Sequence, residues 1–246
     1  MIVPTQIHRE YSGQLPVIDI INRDRPRSIK TWFKPHESKT LFIGRYDCDG
    51  DLTCWTTDVF LEFMALFEGL AKTNAKIANN HVLLAHLCDS KRNGVGSVET
   101  MIQDLLAQLC KHHEHVFINH KTCVKWSQAV CTTTKDANNA RRLWELFEQC
   151  ITGSGIQRLI IMLNNVDAMV RSDDRDGFIG FLQHLCSFIH RKDREPIIVK
   201  LLMTNKSHPM EARIDELLTS VNVSFEKVNL EYPPRCRIPE GGGWGG

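Results

Sequence analysis

The chain has 246 residues with 30 basic and 29 acidic side chains, and its net charge of +1 provides no global field to favour nucleic acid or an anionic membrane. Hydrophobic residues make up 42% of the chain, but no apolar run approaches the length of a membrane span. The nine cysteines form no short-range framework, and Met1 to Gln6 lack the layout of a signal peptide. We therefore expect a cytoplasmic protein with reduced thiols.

The chain divides into three regions by composition. Residues 1–38 contain four prolines and no strong period, which predicts an N-terminal lead-in, although Trp32 and Phe33 are expected to pack on the domain that follows. Residues 39–230 alternate apolar runs with amphipathic segments and are predicted to form one domain. Residues 231–246 are too rich in proline and glycine to pack, so we expect a flexible tail.

Short apolar runs predict five strands, at residues 40–44, 81–88, 159–163, 197–204 and 221–228. Apolar positions at three- and four-residue steps predict helices between them, starting at residues 52, 97, 140, 178 and 210, and Ser97 is a predicted N-cap. This alternation predicts a three-layer α/β fold around a mostly parallel five-stranded sheet. Ligands in such sheets bind at the carboxyl ends of the strands, after Gly44, Leu163 and Thr204.

The segment from Leu41 to Thr53 combines an apolar strand, a glycine-containing loop and the start of a helix. Loops in this position bind phosphate, because backbone N–H groups and the positive end of the helix converge on the anion. This loop also carries three carboxylates, Asp47, Asp49 and Asp51, which repel a phosphate group. The shape of the loop therefore favours phosphate binding, whereas its three carboxylates oppose it.

Three segments share an order and spacing typical of nucleotide-binding proteins: LFIGRYDCDGDLT at 41–53, LIIMLNNVDAM at 159–169 and KLLMTNKSHP at 200–209. They resemble the Walker A loop, the Walker B strand and the sensor-1 strand of the NACHT branch of STAND-class P-loop NTPases, as in fungal NOD-like receptor proteins. Residues 81–88 and 95–109 resemble the second strand and the following Gln-Leu helix of that family. The resemblance covers residues 30–230, and it implies a P-loop NTPase-like fold with a nucleotide site at Gly44, Gly50, Asp51, Thr53, Asn164, Asp167 and Lys206.

The resemblance also implies that this site has lost its working groups. Asp51 and Leu52 stand where Walker A has its lysine and hydroxyl, and Thr53 comes one residue late. Asn164 replaces the aspartate that supports Mg²⁺, and Ala168 replaces the hydrolytic glutamate. Each carboxylate facing a phosphate charge at 4 Å costs about 1 to 4 kcal/mol. We therefore expect no catalytic residue, no required cofactor, and weak or no binding of ATP or ADP with Mg²⁺.

Other interpretations of the same loop stay open. It can be a ligand-free turn, or the site of a residual ATP-binding NTPase. The run from Asp47 to Leu52 also resembles the first motif of haloacid dehalogenase-type phosphatases, in which Asp47 would be the nucleophile and Asp49 the acid/base. A calcium loop would use Asp47, Asp49, Asp51 and Asp58, but its glycine is misplaced and Asp58 falls in a predicted helix.

A cluster of histidines and cysteines raises the alternative of a zinc site. Its spacing matches no standard set of two plus two ligands, so the side chains are predicted to be ordinary surface groups rather than metal ligands. The cluster comprises Cys110, His112, His113, His115, His120 and Cys123.

These observations predict a pseudo-NTPase whose fold persists as a scaffold for contacts with other proteins, by self-association or with a signalling partner. Neither nucleic acid nor a membrane is an expected partner, because the charges balance and no apolar span is present. The chain ends about where the ATPase core of NACHT proteins ends, so we expect a stand-alone remnant or a fragment of a longer receptor.

Overall fold

The computed structural model describes residues 31–32, 37–45, 55–73, 81–88, 97–112, 137–172, 174–190, 197–205, 211–220 and 225–230. Its strands form one sheet in the order β2-β3-β4-β1-β5, and every neighbouring pair is parallel. The predicted α/β fold with a parallel sheet is therefore confirmed. The strands are β1 (Lys39–Arg45), β2 (His81–Leu87), β3 (Arg158–Asn164), β4 (Ile198–Thr204) and β5 (Phe225–Leu230).

Helices lie between the strands along the chain. Five of them follow the predicted helical segments within a few residues: α1 (Trp55–Thr73), α2 (Val98–His112), α3 (Ala137–Gly153), α5 (Arg175–His190) and α6 (Glu211–Ser220). The short helix α4 (Asp167–Arg171) was not predicted, because five residues are too few to show a helical period. No described helix combines the length and the apolar character needed to cross a membrane.

The central strands are covered on both faces, which explains their nearly continuous apolar sequences. In β3, Leu159, Ile161 and Leu163 pack in a large core cluster with residues of α2, α3 and α5. The alternate residues Ile160 and Met162 pack in a smaller cluster with residues of α1. We call these two sides of the sheet the α2 face and the α1 face.

The lead-in contributes to the core through Trp32. This side chain is 1% exposed, its ring lies edge-on to Phe63 of α1, and its Nε1 donates to the carbonyl of Lys39 at 3.2 Å. The predicted packing of Trp32 on the domain is therefore confirmed. Phe33 and the tail of residues 231–246 lie outside the described residues.

Strand β2 forms one edge of the sheet, and α2 covers part of that edge. The Gln108 side chain accepts a hydrogen bond from the Ala85 N–H at 2.9 Å and donates one to the Ala85 carbonyl at 2.7 Å. On the same helix, Asp104 lies 2.9 Å from Nδ1 of the buried His86. Polar groups of α2 thus occupy edge positions that another strand would otherwise pair with.

Candidate functional site

The order of the strands brings the expected site segments to one edge of the sheet. Strand β4 lies between β1 and β3, and its last residue, Thr204, pairs with Ile43 of β1. Asn164 ends β3 and pairs with Leu87 of β2. Since parallel strands end on the same side, Gly44, Asn164 and Thr204 all lie at the carboxyl edge, where ligands bind in open α/β sheets.

The side chain of Asn164 already has a hydrogen-bond partner within the protein. The hydroxyl of Thr204 donates to Asn164 Oδ1 at 2.5 Å and accepts from the backbone N–H of Asn165 at 3.2 Å. Asn164 and Thr204 are both buried. The oxygen that a metal ligand would offer at the end of β3 is thus already used as a hydrogen-bond acceptor.

The backbone turns sharply just after Asn164. Asn165 has a φ of 58°, in the left-handed region that asparagine tolerates better than most residues with a side chain. This turn aims the Val166 N–H at the Thr204 carbonyl, 2.9 Å away, and leads directly into α4. The two consecutive asparagines therefore have separate roles, one in a side-chain contact and one in the turn.

Asp167 and Ala168 occupy the first turn of α4. Asp167 is 1% exposed, and an acidic residue at this end complements the helix dipole. Ala168 packs against the core cluster on the α2 face. A methyl group can neither accept a proton nor orient a water molecule, so α4 presents no general base at position 168.

Cys88 follows β2 on the same edge, and its N–H donates to the Asn164 carbonyl at 2.9 Å. Burial, reinforced by the nearby charge of Asp167, holds the pKa of the Cys88 thiol far above its usual range. The thiolate is the nucleophilic form of cysteine, so Cys88 is not a candidate nucleophile.

At the N-terminus of α2, a carboxylate from elsewhere in the chain already accepts a hydrogen bond from the backbone. Asp174 Oδ2 accepts from the Val98 N–H at 2.6 Å, and Ser97 Oγ accepts from the Thr100 N–H at 3.1 Å. The predicted N-cap at Ser97 is confirmed. Sequence reasoning missed Asp174, because it lies 76 positions from Val98 and no local pattern connects the two residues.

Of the predicted nucleotide-site residues, the structure describes Gly44, Asn164 and Asp167. Gly50, Asp51, Thr53 and Lys206 lie outside the described residues, as do Asp47 and Asp49 of the phosphatase alternative. Asp58, the last position of the calcium alternative, lies in α1. Cys110 and His112 end α2, the rest of the zinc cluster lies outside the described residues, and no described group of three acidic, histidine or cysteine side chains could hold a metal.

No protein-family model and no curated protein sequence matches the chain. It is similar to two solved structures of the Aeropyrum pernix ORC2 protein, one in an ADP form and one in ADPNP-ADP complexes, each with 12% identity and a TM-score of 0.50 over 89% of this chain. The chain spans about half of those proteins, 49% and 48%. A structure of Drosophila ORC bound to GC-rich DNA and Cdc6 has 13% identity and a TM-score of 0.41, with coverage of 89% of this chain and 58% of that one.

The two ORC2 matches share only the fold with this chain, because their identity is so low. They support a P-loop NTPase-like fold, in agreement with the coarser part of the sequence prediction. A likeness of fold at this identity does not test the resemblance to the NACHT branch.

Proposed function

We propose that this chain is a degenerate P-loop NTPase domain of the NACHT type that acts as a signalling or protein-interaction scaffold. It binds ATP weakly or not at all, and it does not hydrolyse ATP efficiently. The observation that supports the proposal is at the end of β3, where Asn164 already accepts the Thr204 hydroxyl. The resemblance to NACHT proteins implies a metal-supporting carboxylate at this position. Ala168, packed against the core, supplies no base one turn later.

The chemistry of phosphoryl transfer explains why these two positions matter. Mg²⁺ prefers oxygen ligands, usually one or two carboxylates together with the phosphates, and it neutralises the charge that develops on them. A general base contributes about 10²- to 10⁴-fold to such a reaction. A neutral amide at position 164 removes the support for Mg²⁺, and a methyl group at position 168 removes the general base. Packing of the buried sheet requires neither group.

A second candidate is a domain that keeps nucleotide affinity without turnover. The ORC2 structures that share this fold contain ADP, or ADPNP and ADP, according to their descriptions. Under this alternative, Gly44 and the loop after β1 would surround the phosphates, and Asp51 would reduce the affinity through charge repulsion. The two candidates differ in one measurable quantity, the dissociation constant for ATP or ADP.

The partner of the scaffold is proposed to be another protein or a second copy of this chain, in the cytoplasm. The near-zero net charge supports this proposal over a nucleic-acid partner, since a sequence-independent phosphate contact requires an excess of lysine and arginine. Light scattering at increasing protein concentration would detect self-association.

The deciding experiment measures binding of ATP and ADP by titration calorimetry, together with phosphate release, with and without Mg²⁺. The wild-type chain is expected to show no saturable binding below millimolar nucleotide and no phosphate release above background. The variant Asp51→Lys, Leu52→Thr, Asn164→Asp, Ala168→Glu is expected to bind ATP at least about tenfold more tightly, since it regains opposite charge and metal support.

Asp176→Lys, at an exposed position of α5, is the control for the Asp51→Lys component alone, because it makes that charge change away from the expected site. It is expected to leave nucleotide binding as in the wild type. Wild-type phosphate release that disappears in Asp167→Asn would refute the pseudo-NTPase assignment. Hydrolysis of a phosphate monoester that disappears in Asp47→Asn would instead establish the phosphatase alternative.

A further inference from the structure

The carboxyl edge of the sheet carries a continuous set of hydrogen bonds just beyond the strand ends. The Cys88 N–H donates to the Asn164 carbonyl and connects the ends of β2 and β3. The Val166 N–H donates to the Thr204 carbonyl and connects β3 with β4. The Asn205 N–H donates to the Ile43 carbonyl at 3.2 Å and connects β4 with β1. Four neighbouring strands are thus joined at the edge where a ligand would bind.

The Thr204 hydroxyl adds two further hydrogen bonds to these backbone bonds. It donates to Asn164 Oδ1 and accepts from the Asn165 N–H, so its single proton is committed to the amide. Thr204 and Asn205 are both 0% exposed, and Asn164 is 1% exposed. A phosphate oxygen or a hydrated cation would have to break these bonds before it could use the same atoms.

From this arrangement we infer that the carboxyl edge is held in one conformation by its own neutral polar groups, with no need for a bound nucleotide or metal. We call Asn164, Asn165 and Thr204 the edge lock. The inference rests on the proposed function, and it specifies how the scaffold is regulated. Under this inference nucleotide and Mg²⁺ do not shift the conformation of this edge, since a ligand shifts an equilibrium only through a differential affinity for two states.

The side chains of the edge lock carry no formal charge, and this supports the inference. A carboxylate at position 164 would require a cation or further donors when buried, whereas an amide is neutral and needs only hydrogen bonds. The Thr204 hydroxyl supplies such a bond to Asn164 Oδ1, and the same hydroxyl oxygen accepts from the Asn165 N–H. An amide at position 164 therefore needs no cation to balance a buried charge.

The test is amide hydrogen exchange of the full chain, read at Asn165 by NMR. Thr204→Val keeps the shape of the side chain and removes the hydroxyl, so exchange at Asn165 is expected to accelerate about tenfold, in line with the loss of one net hydrogen bond. Thr204→Ser retains the hydroxyl and is expected to restore slow exchange. Thr40→Val makes the same change at a buried position near the start of β1, and it is expected to leave Asn165 unaffected.

A second arm adds MgCl₂, alone and with ATP. Exchange at Asn165 in the wild type is expected to stay constant, while Asn164→Asp is expected to be slowed by Mg²⁺. Fast exchange at Asn165 in the wild type, or equal exchange in Thr204→Val and wild type, would overturn the inference. Slower wild-type exchange on addition of Mg²⁺ would overturn it as well. Because the Thr204 comparison is made without nucleotide, its result stands apart from the ATP-binding test of the proposed function.

Discussion

Single residues complete parts of the fold that lie far away in the sequence. Asp174 precedes α5, yet its carboxylate accepts from the first N–H of α2. Its own backbone carbonyl accepts from Phe178 in the first turn of α5. Asp174 therefore accepts the first i→i−4 bond of α5 with its carbonyl, while its carboxylate accepts from an N–H of α2 that has no intrahelical acceptor.

Gly177 has no side chain and so leaves room for the Asp174 carboxylate. A Cβ at this position would overlap the Asp174 carboxylate and push it away from Val98. We expect Gly177→Ala to lower the free energy of unfolding by about 1 kcal/mol, because the lost charged hydrogen bond outweighs the usual helix gain of alanine. Urea unfolding measures the change.

Gly180→Ala is the matched control on the same helix, since a Cβ there meets nothing within 4 Å. It is expected to raise the free energy of unfolding by about 0.5 to 1 kcal/mol. Changes of the same sign in the two variants would show that Asp174 moves without cost.

His81 at the start of β2 makes stability depend on pH. Burial, together with the charge of Arg158 on the paired strand, lowers the pKa of His81 from its ordinary value of 6.5. The folded chain then binds fewer protons than the unfolded chain, so stability falls as pH drops through 6.5. We expect His81→Gln to show a smaller loss of stability between about pH 7.5 and pH 5 than the wild type.

Urea unfolding at a series of pH values measures this difference, and NMR titration of His81 reports its pKa directly. His112 adds a contribution of the same sign, because burial and Lys111 lower its pKa against the opposing effect of Glu68. Equal pH slopes for the wild type and His81→Gln would contradict the assignment to His81.

At the scale of elements, α2 and β2 are joined by polar contacts as well as by packing. Gln108 holds both polar groups of Ala85 on an edge strand, in the manner of one residue of a neighbouring strand. This contact gives a structural role to the Gln-Leu pair noted in the sequence. It also shields the middle of an edge that would otherwise be open to pairing with another chain.

Loss of this contact should affect both stability and association. We expect Gln108→Ala to lower the free energy of unfolding by about 1 to 3 kcal/mol, because the backbone groups of Ala85 lose their partners. Light scattering is expected to rise on gentle heating, since the freed edge can pair with a second copy.

Gln103→Ala on the same helix serves as the control, because the Gln103 amide donates at 3.5 Å to the side chain of Glu99, one turn earlier in α2, and not to the backbone of β2. Its effect is expected to stay within about 0.5 kcal/mol. An equally small effect of Gln108→Ala would mean that water replaces the amide at little cost.

At the scale of the whole molecule, the sheet separates two cores of unequal size. The α2 face packs against α2, α3, α5 and α6, whereas the described part of the α1 face relies on α1 and Trp32. Trp32 is among the largest fully buried side chains. Trp32 is therefore part of the folding unit, even though the sequence around it shows no secondary-structure period.

Removal of Trp32 should affect the entire domain. We expect Trp32→Ala to lower the free energy of unfolding by about 3 to 5 kcal/mol, because it leaves a cavity in the smaller core. Trp32→Phe keeps most of the packing and loses the hydrogen bond to Lys39, so its cost is expected to be about 1 kcal/mol.

Leu66→Ala on the exposed side of α1 is the control, since Leu66 is 37% exposed. Its effect is expected to be below about 1 kcal/mol. Chemical unfolding followed by circular dichroism compares all three variants. A small effect of Trp32→Ala would place this segment outside the cooperative unit.

Sequence patterns predicted the elements best where burial is complete. The apolar runs of β3 and β4 follow from strands covered on both faces, and α2 follows from its strong three- and four-residue period. Helix α4 is too short to show a period. The contacts of Gln108, Thr204 and Asp174 bridge 23, 40 and 76 positions, so no local window contains both partners.

The alternation of apolar and amphipathic segments predicted the mostly parallel α/β class, and side-chain identity alone shows that positions 164 and 168 carry no carboxylate. Only the tertiary structure decided that β4 lies between β1 and β3, and that Thr204 therefore reaches Asn164. Strand order depends on long-range pairing, which a linear pattern does not encode. The same pairing places the Thr204 hydroxyl between Asn164 Oδ1 and the Asn165 N–H, and so forms hydrogen bonds among neutral groups at the end of β3.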